Sequence, residues 1–356
     1  MHVPFCRTIC TYCDFCHVGY QETVAKQWLK AITTDIQNRH LNENLVTIYI
    51  GGGTPTALSS SQLDQLLSLL DPYARMAQEY TIEINPETFD EDKAKILQKH
   101  GVNRASIGFQ TSDEKLLQMM NRHHRLEDVA ETMRLLRKYG IDNISLDLMY
   151  SLPTQTMESL EKSVQDAIAL EPAHLSLYSL TIEPNTVFAK KGYEHLEDDI
   201  EADMYEWICN FLPKYGFVQY EISNFAKENM ISIHNCAYWN YQDFYGIGCG
   251  ASGLEGSTRY DIPKNVKKYI EDSSIKDTIE LTLQEQMFEA VMMGLRLKEG
   301  MNIQLFEERF HTSVVEVYRT QINKLCNEGK LILEGNRLRC SEKGFEILNS
   351  ILVEFM

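Results

Sequence analysis

Four of the chain's nine cysteines fall in the eleven-residue stretch Cys6-Arg-Thr-Ile-Cys10-Thr-Tyr-Cys13-Asp-Phe-Cys16. Cys6, Cys10 and Cys13 have the spacing C-x3-C-x2-C. Thiolates spaced in this way can converge from one short loop on a polynuclear iron site, because soft sulfur ligands suit iron–sulfur clusters. A cube of four irons held by three protein thiolates leaves one iron open to a small molecule. Open iron is a reaction site, whereas a fully ligated cluster mostly carries electrons. Two other chemistries compete. A structural zinc usually draws two cysteine pairs from separated segments, and these three tight spacings fit that poorly. A Cys13-x-x-Cys16 redox pair would require a thioredoxin-like setting that the neighbouring residues do not provide.

The elements that must position this loop alternate in a regular way. Glu22 to His40 carries Val24, Trp28, Ile32 and Ile36 at helical spacing. Val46–Ile50 reads as a strand and runs into Gly51-Gly-Gly-Thr-Pro55; Ser59-x-x-Gln62 then opens a helix with a capping-box pattern. Strand Tyr80–Ile84, helix Asp90–His100 and strand Arg104–Phe109 follow. Thr111-x-x-Glu114 starts a short helix and a second spans Leu126–Tyr139; strand Ile144–Met149, helix Met157–Leu170 and strand His174–Leu180 complete the run. This rhythm predicts βαβ units on a parallel sheet, closed or partly closed as a barrel of six strands. In such folds chemistry gathers where strands end. The glycine triplet, Glu83, Gln110 and Asp147 all fall at strand ends. Each could equally cap a helix, but several aimed at one rim are harder to dismiss. The triplet lacks the Gly-Lys-Ser/Thr of a phosphate loop, and its amides are read as receivers for an amino or carboxylate group.

From about Glu183 the rhythm changes. A helix over Ile200–Tyr215 precedes Tyr220–Phe225 and then His234-Asn-Cys-Ala-Tyr-Trp239. His234 could hold a metal or haem iron through neutral imidazole, or could simply be hydrogen-bonded in a polar–aromatic patch. Tyr245-Gly-Ile-Gly-Cys-Gly-Ala251 suits backbone lying against a flat ligand or another strand. The carboxy-terminal part predicts helices over Thr282–Arg296, Ile303–Phe310 and Val314–Glu328, a hairpin about Glu334-Gly-Asn, and a closing helix after Ser341. That order resembles a winged helix. From Leu281 onward, however, nine Lys/Arg stand against eleven Asp/Glu, and a DNA reader should be basic. The segment is read as a lid or partner surface.

The 356 residues predict one large domain plus an appendage, or two domains. Composition is globular, at 44% hydrophobic and 24% charged. No apolar run approaches a membrane span, and the residues before the cysteines do not read as a secretory signal. An odd, unevenly placed set of nine cysteines predicts a reducing, cytoplasmic setting rather than a disulfide framework. A net charge of −17 and a pI near 5.1 argue against nucleic-acid binding.

Taken together, these motifs resemble the radical S-adenosylmethionine superfamily. Within it they are similar to the oxygen-independent coproporphyrinogen III oxidase-like group, and to its haem-chaperone branch in particular. The resemblance spans essentially the whole chain. It is carried by His2-Val-Pro-Phe-Cys6 with the cysteine trio, Gly51-Gly-Gly-Thr-Pro-Thr56, Glu83-Ile-Asn-Pro86, Gly101–Gln110, Asp147-Leu-Met-Tyr-Ser-Leu-Pro153 and His234-Asn-x-x-Tyr-Trp239. It implies an α/β fold: a partial (β/α)6 radical SAM barrel over residues 1–182, a barrel extension over 183–278, and a smaller winged-helix-like domain over 279–356.

The resemblance further implies that Cys6, Cys10 and Cys13 ligate a 4Fe–4S cluster whose fourth iron is chelated by S-adenosylmethionine. Tyr12 would pack near the adenine, and Gly52, Gly53 and Thr54 would hold the methionine moiety. Glu83, Gln110, Arg122 and Asp147 would supply the remaining contacts. Electron transfer from the cluster would then release methionine and a 5′-deoxyadenosyl radical, chemistry that belongs to the cofactor.

His234 is implied as the haem ligand, with Cys236 as a second or alternative one, and Cys16 as a thiol that binds no iron. The implied partners are haem or porphyrin, a haem-accepting protein at the membrane, and an electron donor. The family's tyrosine six residues before the first cysteine would fall at position zero, which predicts a shortened first strand. Ser151 and Ser252 replace residues that are usually glycine and histidine. The alternative activity is oxidative decarboxylation of coproporphyrinogen III to protoporphyrinogen IX. The longer amino-terminal segment and C-x3-C-x2-C-x-C spacing of those oxidases are missing here. Their four-propionate substrate would also want more Arg and Lys than the rim offers beyond Arg122.

Overall fold

A computed structural model describes residues 1–39 and 41–356. Six parallel strands form the main sheet in sequence order: β1 (His2–Val3), β2 (Thr47–Gly52), β3 (Glu79–Ile84), β4 (Arg104–Gln110), β5 (Asn143–Tyr150) and β6 (His174–Ser179). Two further strands, β7 (Val218–Gln219) and β8 (Asn224–Ala226), extend the β6 edge antiparallel in the order β6-β8-β7. The sheet therefore stays an incomplete barrel. Helices α1 (Glu22–Asn38), α2 (Ser60–Ala74), α3 (Glu91–Lys99), α4 (Leu126–Lys138) and α5 (Met157–Ala169) cover its outer face, and α6 (Asp198–Phe211) follows β6. His40, where the first helix was expected to end, lies outside the described residues.

Alternation within each strand separates the two faces. Ala105, Ile107 and Phe109 of β4, and Ile144, Leu146 and Leu148 of β5, are buried toward the helices. Arg104, Ser106, Gly108 and Gln110, with Asp147 and Met149, point the other way and line a cavity. Two-period patterning thus builds both the core and the site.

The cysteine loop is fixed at both ends. Phe5–Cys6 pairs with Val18–Gly19, the Val18 amide donates to Pro4 O at 2.7 Å, and the Tyr20 amide to Cys6 O at 2.9 Å. Trp28 of α1, fully buried, meets the Phe5 ring edge-on at 5.5 Å. Helix amphipathicity thereby locks the strand that carries Cys6, and a Trp28→Ala cavity would cost about 3–5 kcal/mol.

The capping box predicted at Ser59 and Gln62 is present. Three local expectations differ. The helix after β4 is Glu114–Met119, capped by Asp113 rather than Thr111, because the Thr111 hydroxyl is engaged by Ser163 at 2.8 Å. The predicted helix Val314–Glu328 breaks at Tyr318, whose ring turns inward onto Phe355. His234–Trp239 belongs to helix α7 (Ile233–Trp239), an element that no periodic pattern in the sequence announces.

A second core gathers Tyr241, Leu254 and residues from Ala290 onward, around α8 (Leu283–Gly294), Ile303–Phe310 and a three-stranded sheet of Met301–Asn302, Arg337–Cys340 and Leu331–Glu334. The segment between the barrel and this unit is shared, since Ile247, Cys249, Tyr260 and Tyr269 pack into the first core. Its glycine-rich stretch lies against the amino-terminal strand. The His2 amide donates to Ile247 O at 2.7 Å, and a Cβ on Gly248 would fall 2.4 Å from His2 O. Of the two roles open to that stretch, backbone-to-strand packing is the one observed.

Candidate functional site

Cys6, Cys10 and Cys13 line one cavity of about 520 Å³ at the carboxy-terminal rim of the barrel, together with Tyr12, Gly52, Gly53, Thr54, Glu83, Gln110, Arg122 and Asp147. The loop between Cys6 and Cys13 is pinned across the barrel mouth. The Thr11 amide and hydroxyl donate to Met120 O (3.1 Å) and Met119 O (2.8 Å), and Asn121 Nδ2 donates to Ile9 O at 2.8 Å. Tyr12 packs on Phe188, ring centroids 6.3 Å apart.

The thiols sit among polar neighbours. Thr54 Oγ1 lies 3.7 Å from Cys6 Sγ, His17 Nδ1 3.7 Å from Cys13 Sγ, and Arg122 Nη1 3.9 Å from Cys10 Sγ. Burial pushes the Cys6 and Cys13 thiols up to about 11, so loading a metal must release protons from them at neutral pH.

These residues fit a cluster. A Cβ on Gly53 would stand 3.0 Å from Cys6 Sγ and from the Val3 and Phe5 carbonyl oxygens, so glycine lets this turn pack close against the sulfur. Three thiols on one short loop, opening into a cavity with room beside them, match the soft-ligand set that an iron–sulfur cluster takes. Arg122 carries its guanidinium between Cys10 and Gly108 O (Nη2–O 2.5 Å), and its buried Nε has no partner.

The glycine triplet works differently from expectation. Its amides are already spent: Gly52 N donates to Glu83 Oε2 (3.0 Å), Gly53 N to Val3 O (2.8 Å), and Thr54 N to Phe5 O (2.8 Å). The triplet anchors the cysteine strand, with Gly52 at φ +114°, and does not offer free N–H groups.

Glu83 accepts from Tyr49 Oη at 2.7 Å, and burial raises its carboxyl to about 7. Asp147 accepts from Ser106 Oγ at 2.9 and 2.8 Å and is also raised by burial. Two buried acids held toward neutrality are poised to regain charge beside a cationic ligand such as an ammonium or sulfonium group. Gln110 adopts φ +63° at a register shift between Gly108 and Gln110, which turns its amide onto the rim.

Several participants escaped the sequence reading. Tyr49, Arg104, Ser106, Ser176 and Tyr178 line the same cavity. Their signal is the two-residue alternation along β2, β4 and β6, which puts polar residues on the inner face. Glu87 Oε1 accepts the His123 and His124 amides at 2.7 and 3.0 Å and so places Arg122.

His234 is not brought to this cavity. Its Nδ1 pairs with Thr47 Oγ1 at 2.8 Å, its Nε2 with Tyr238 Oη at 3.1 Å, and its ring stacks on Tyr49 at 4.9 Å. Burial lowers it to about 3, so the ring is neutral. Glu79 caps its helix, accepting from the Ile233 amide at 2.8 Å and the His234 amide at 3.1 Å. Cys236, on the same helix, is also outside the cavity lining. Cys16 is buried beside Gly250 and Cys249, away from the trio's cavity. Ser151, at the expected glycine position, does hold a left-handed φ of +58° and donates to Glu201 at 3.0 Å.

An incomplete parallel barrel with a thiol trio on its rim defines a radical SAM protein. Residues 1–167 match the profile of the radical SAM superfamily, and residues 281–347 that of the HemN C-terminal domain. The chain is 37% identical to "Heme chaperone HemW" of Bacillus subtilis and 36% identical to that of Lactococcus lactis, in each case over 100% of this chain and 98% and 96% of those proteins. The Escherichia coli protein of the same name is 32% identical over 100% of this chain and 97% of its own length. The chain belongs to this HemW family. Its fold matches coproporphyrinogen III oxidase (HemN) from Escherichia coli with a TM-score of 0.85 at 21% identity, covering 99% of this chain and 88% of that one. Among the described residues no helix is long and apolar enough to cross a membrane.

Proposed function

We propose that this chain is a haem chaperone of the radical SAM type, one that holds a 4Fe–4S cluster on Cys6, Cys10 and Cys13 and binds S-adenosylmethionine beside it. The observation that carries the reading is the full-length identity of 36–37% to proteins named as haem chaperones, set against 21% for the oxidase. Bound in the rim cavity, cluster and S-adenosylmethionine supply one-electron chemistry. The chain's own residues do the placing. Arg122 sets positive charge against Cys10 and would meet the ligand's carboxylate, Glu83 and Asp147 face its cationic groups, and Gln110 and Tyr12 flank the nucleoside. Gly52 and Gly53 keep the cysteine strand close, with Thr54 on Cys6.

Haem is the cargo, passed to an acceptor protein, with a separate electron donor for the cluster. His234 enters as the haem-iron ligand only if its ring leaves Thr47 and Tyr238. Nine unpaired cysteines suit a reducing cytoplasm.

The test is a paired assay on anaerobically reconstituted protein. Haem is titrated into wild type and His234→Ala, while coproporphyrinogen III is offered with S-adenosylmethionine and reductant. Stoichiometric haem binding without decarboxylated product is the expected result. Turnover of coproporphyrinogen would replace this reading with the oxidase.

A further inference from the structure

A second cavity, of about 540 Å³, opens between helix α7 and the carboxy-terminal unit. Its walls are aromatic: Tyr178, Tyr238, Trp239, Tyr241 and Phe244. Two arginines, Arg259 and Arg296, stand at its edge. The volume lies within the roughly 300–1,000 Å³ of small-molecule and cofactor sites. Tyr178 and Asn235 belong to both this cavity and the cysteine cavity, so the two share a wall.

Several polar groups in this space lack partners. The buried Trp239 Nε1, Arg259 Nε and Asn224 Oδ1 have none. A buried indole N–H ordinarily finds an acceptor. Arg296 lies over the Trp239 ring, 5.7 Å from its centroid, and among the described residues forms no ion pair within 4.0 Å. Arg259 spends Nη2 on Glu289 at 2.8 Å and keeps Nε free. The carboxylate within the cavity, Glu221, is bound by Asn224 Nδ2 and by nearby backbone amides, and burial moves it toward its neutral form. The site therefore offers flat apolar faces with cationic donors at one edge.

We infer that this cavity is the tetrapyrrole site: the macrocycle stacks on Trp239 and the neighbouring tyrosines, and its two carboxylate arms are received by Arg296 and Arg259. This rests on the haem-chaperone reading and adds where the cargo sits and what recognises it. Recognition here is of ring and carboxylates, not of iron. Tyr238, which bonds His234 Nε2, lines this cavity, and His234 itself does not. Iron ligation by His234 would require its ring to leave Thr47 and Tyr238, whereas Trp239 and Arg296 already line the cavity. Placement against the shared wall also brings the cargo next to the cofactor cavity.

The test uses the reconstituted full chain and iron-free protoporphyrin IX, its dimethyl ester, and haem, followed by porphyrin fluorescence and haem absorbance. Arg296→Gln should weaken protoporphyrin IX and haem about 10-fold or more, the loss of one charge-assisted contact, and leave the dimethyl ester unchanged. Trp239→Ala, with Trp239→Phe as the milder variant, should weaken all three. Cluster iron and S-adenosylmethionine binding should persist in every variant. Wild-type binding of protoporphyrin IX that neither Arg296→Gln nor Trp239→Ala alters would overturn this site while leaving the chaperone reading intact. Failure of wild type to bind any tetrapyrrole would overturn the chaperone reading itself.

Discussion

Around the cysteine cavity, eleven residues named from sequence meet at the ends of successive parallel strands. Around His234, one short helix turns a histidine away from solvent and commits both ring nitrogens to neighbours. The first region owes its convergence to topology, because parallel strands send all their carboxy-terminal ends to one rim. The second has no such guarantee, since a helix distributes its side chains around a cylinder and the tertiary contacts decide which of them face a ligand. A motif on strand ends can therefore be read as a site much more directly than a motif on a helix.

Four perturbations would break or sharpen this contrast. The largest effect is expected from Cys10→Ala, which should drop bound iron from about four per chain to near zero in anaerobic preparations. Retained iron would remove the cysteine loop from the account.

Glu83→Gln comes next. A carboxyl whose folded value is near 7, against an ordinary 4.5, stabilises the fold fully below 4.5. That contribution is lost as pH rises through about 7. Metal-free wild type should thus lose up to about 3 kcal/mol relative to Glu83→Gln between about pH 5 and pH 8 in urea melts. Parallel curves would show Glu83 to be solvated.

His234→Ala removes two hydrogen bonds and a stack, and should cost about 2–3 kcal/mol in the same melts. S-adenosylmethionine binding should be unchanged. If that binding falls while stability holds, the two regions are not separate.

Smallest of the four is Lys264→Ala. Its exposed pair with Asp14, at 3.2 Å on the cysteine loop, should contribute under about 1 kcal/mol and fade with salt. A larger loss would mean that the loop depends on its surface charges rather than on its backbone anchors.

The legible part of the fold followed from strong local signals. Alternating strand and helix periods located five of the six parallel strands within a residue or two, and Ser59 with Gln62 marked the start of α2 correctly. Competition between neighbours is harder to read: Thr111 and Asp113 are both good caps, and Asp113 takes the role while Thr111 Oγ1 pairs with Ser163 and accepts from the Asp113 amide. The glycine triplet was found, but its amides were misassigned, because their acceptors at Val3 and Phe5 come from another strand. Tyr49 and Ser106 were overlooked although their inner-face position is fixed by alternation, since a tyrosine and a serine carry no motif of their own. The αL backbone at Ser151 accounts for the glycine expected there.

The most direct measurement is electron paramagnetic resonance of the anaerobically reconstituted, dithionite-reduced protein, with and without S-adenosylmethionine, alongside iron and sulfide counts. An iron site left open by Cys6, Cys10 and Cys13 predicts about four irons and four sulfides per chain and a cluster signal that changes shape when the ligand is added. One zinc without sulfide, or a cluster signal indifferent to S-adenosylmethionine, would contradict it.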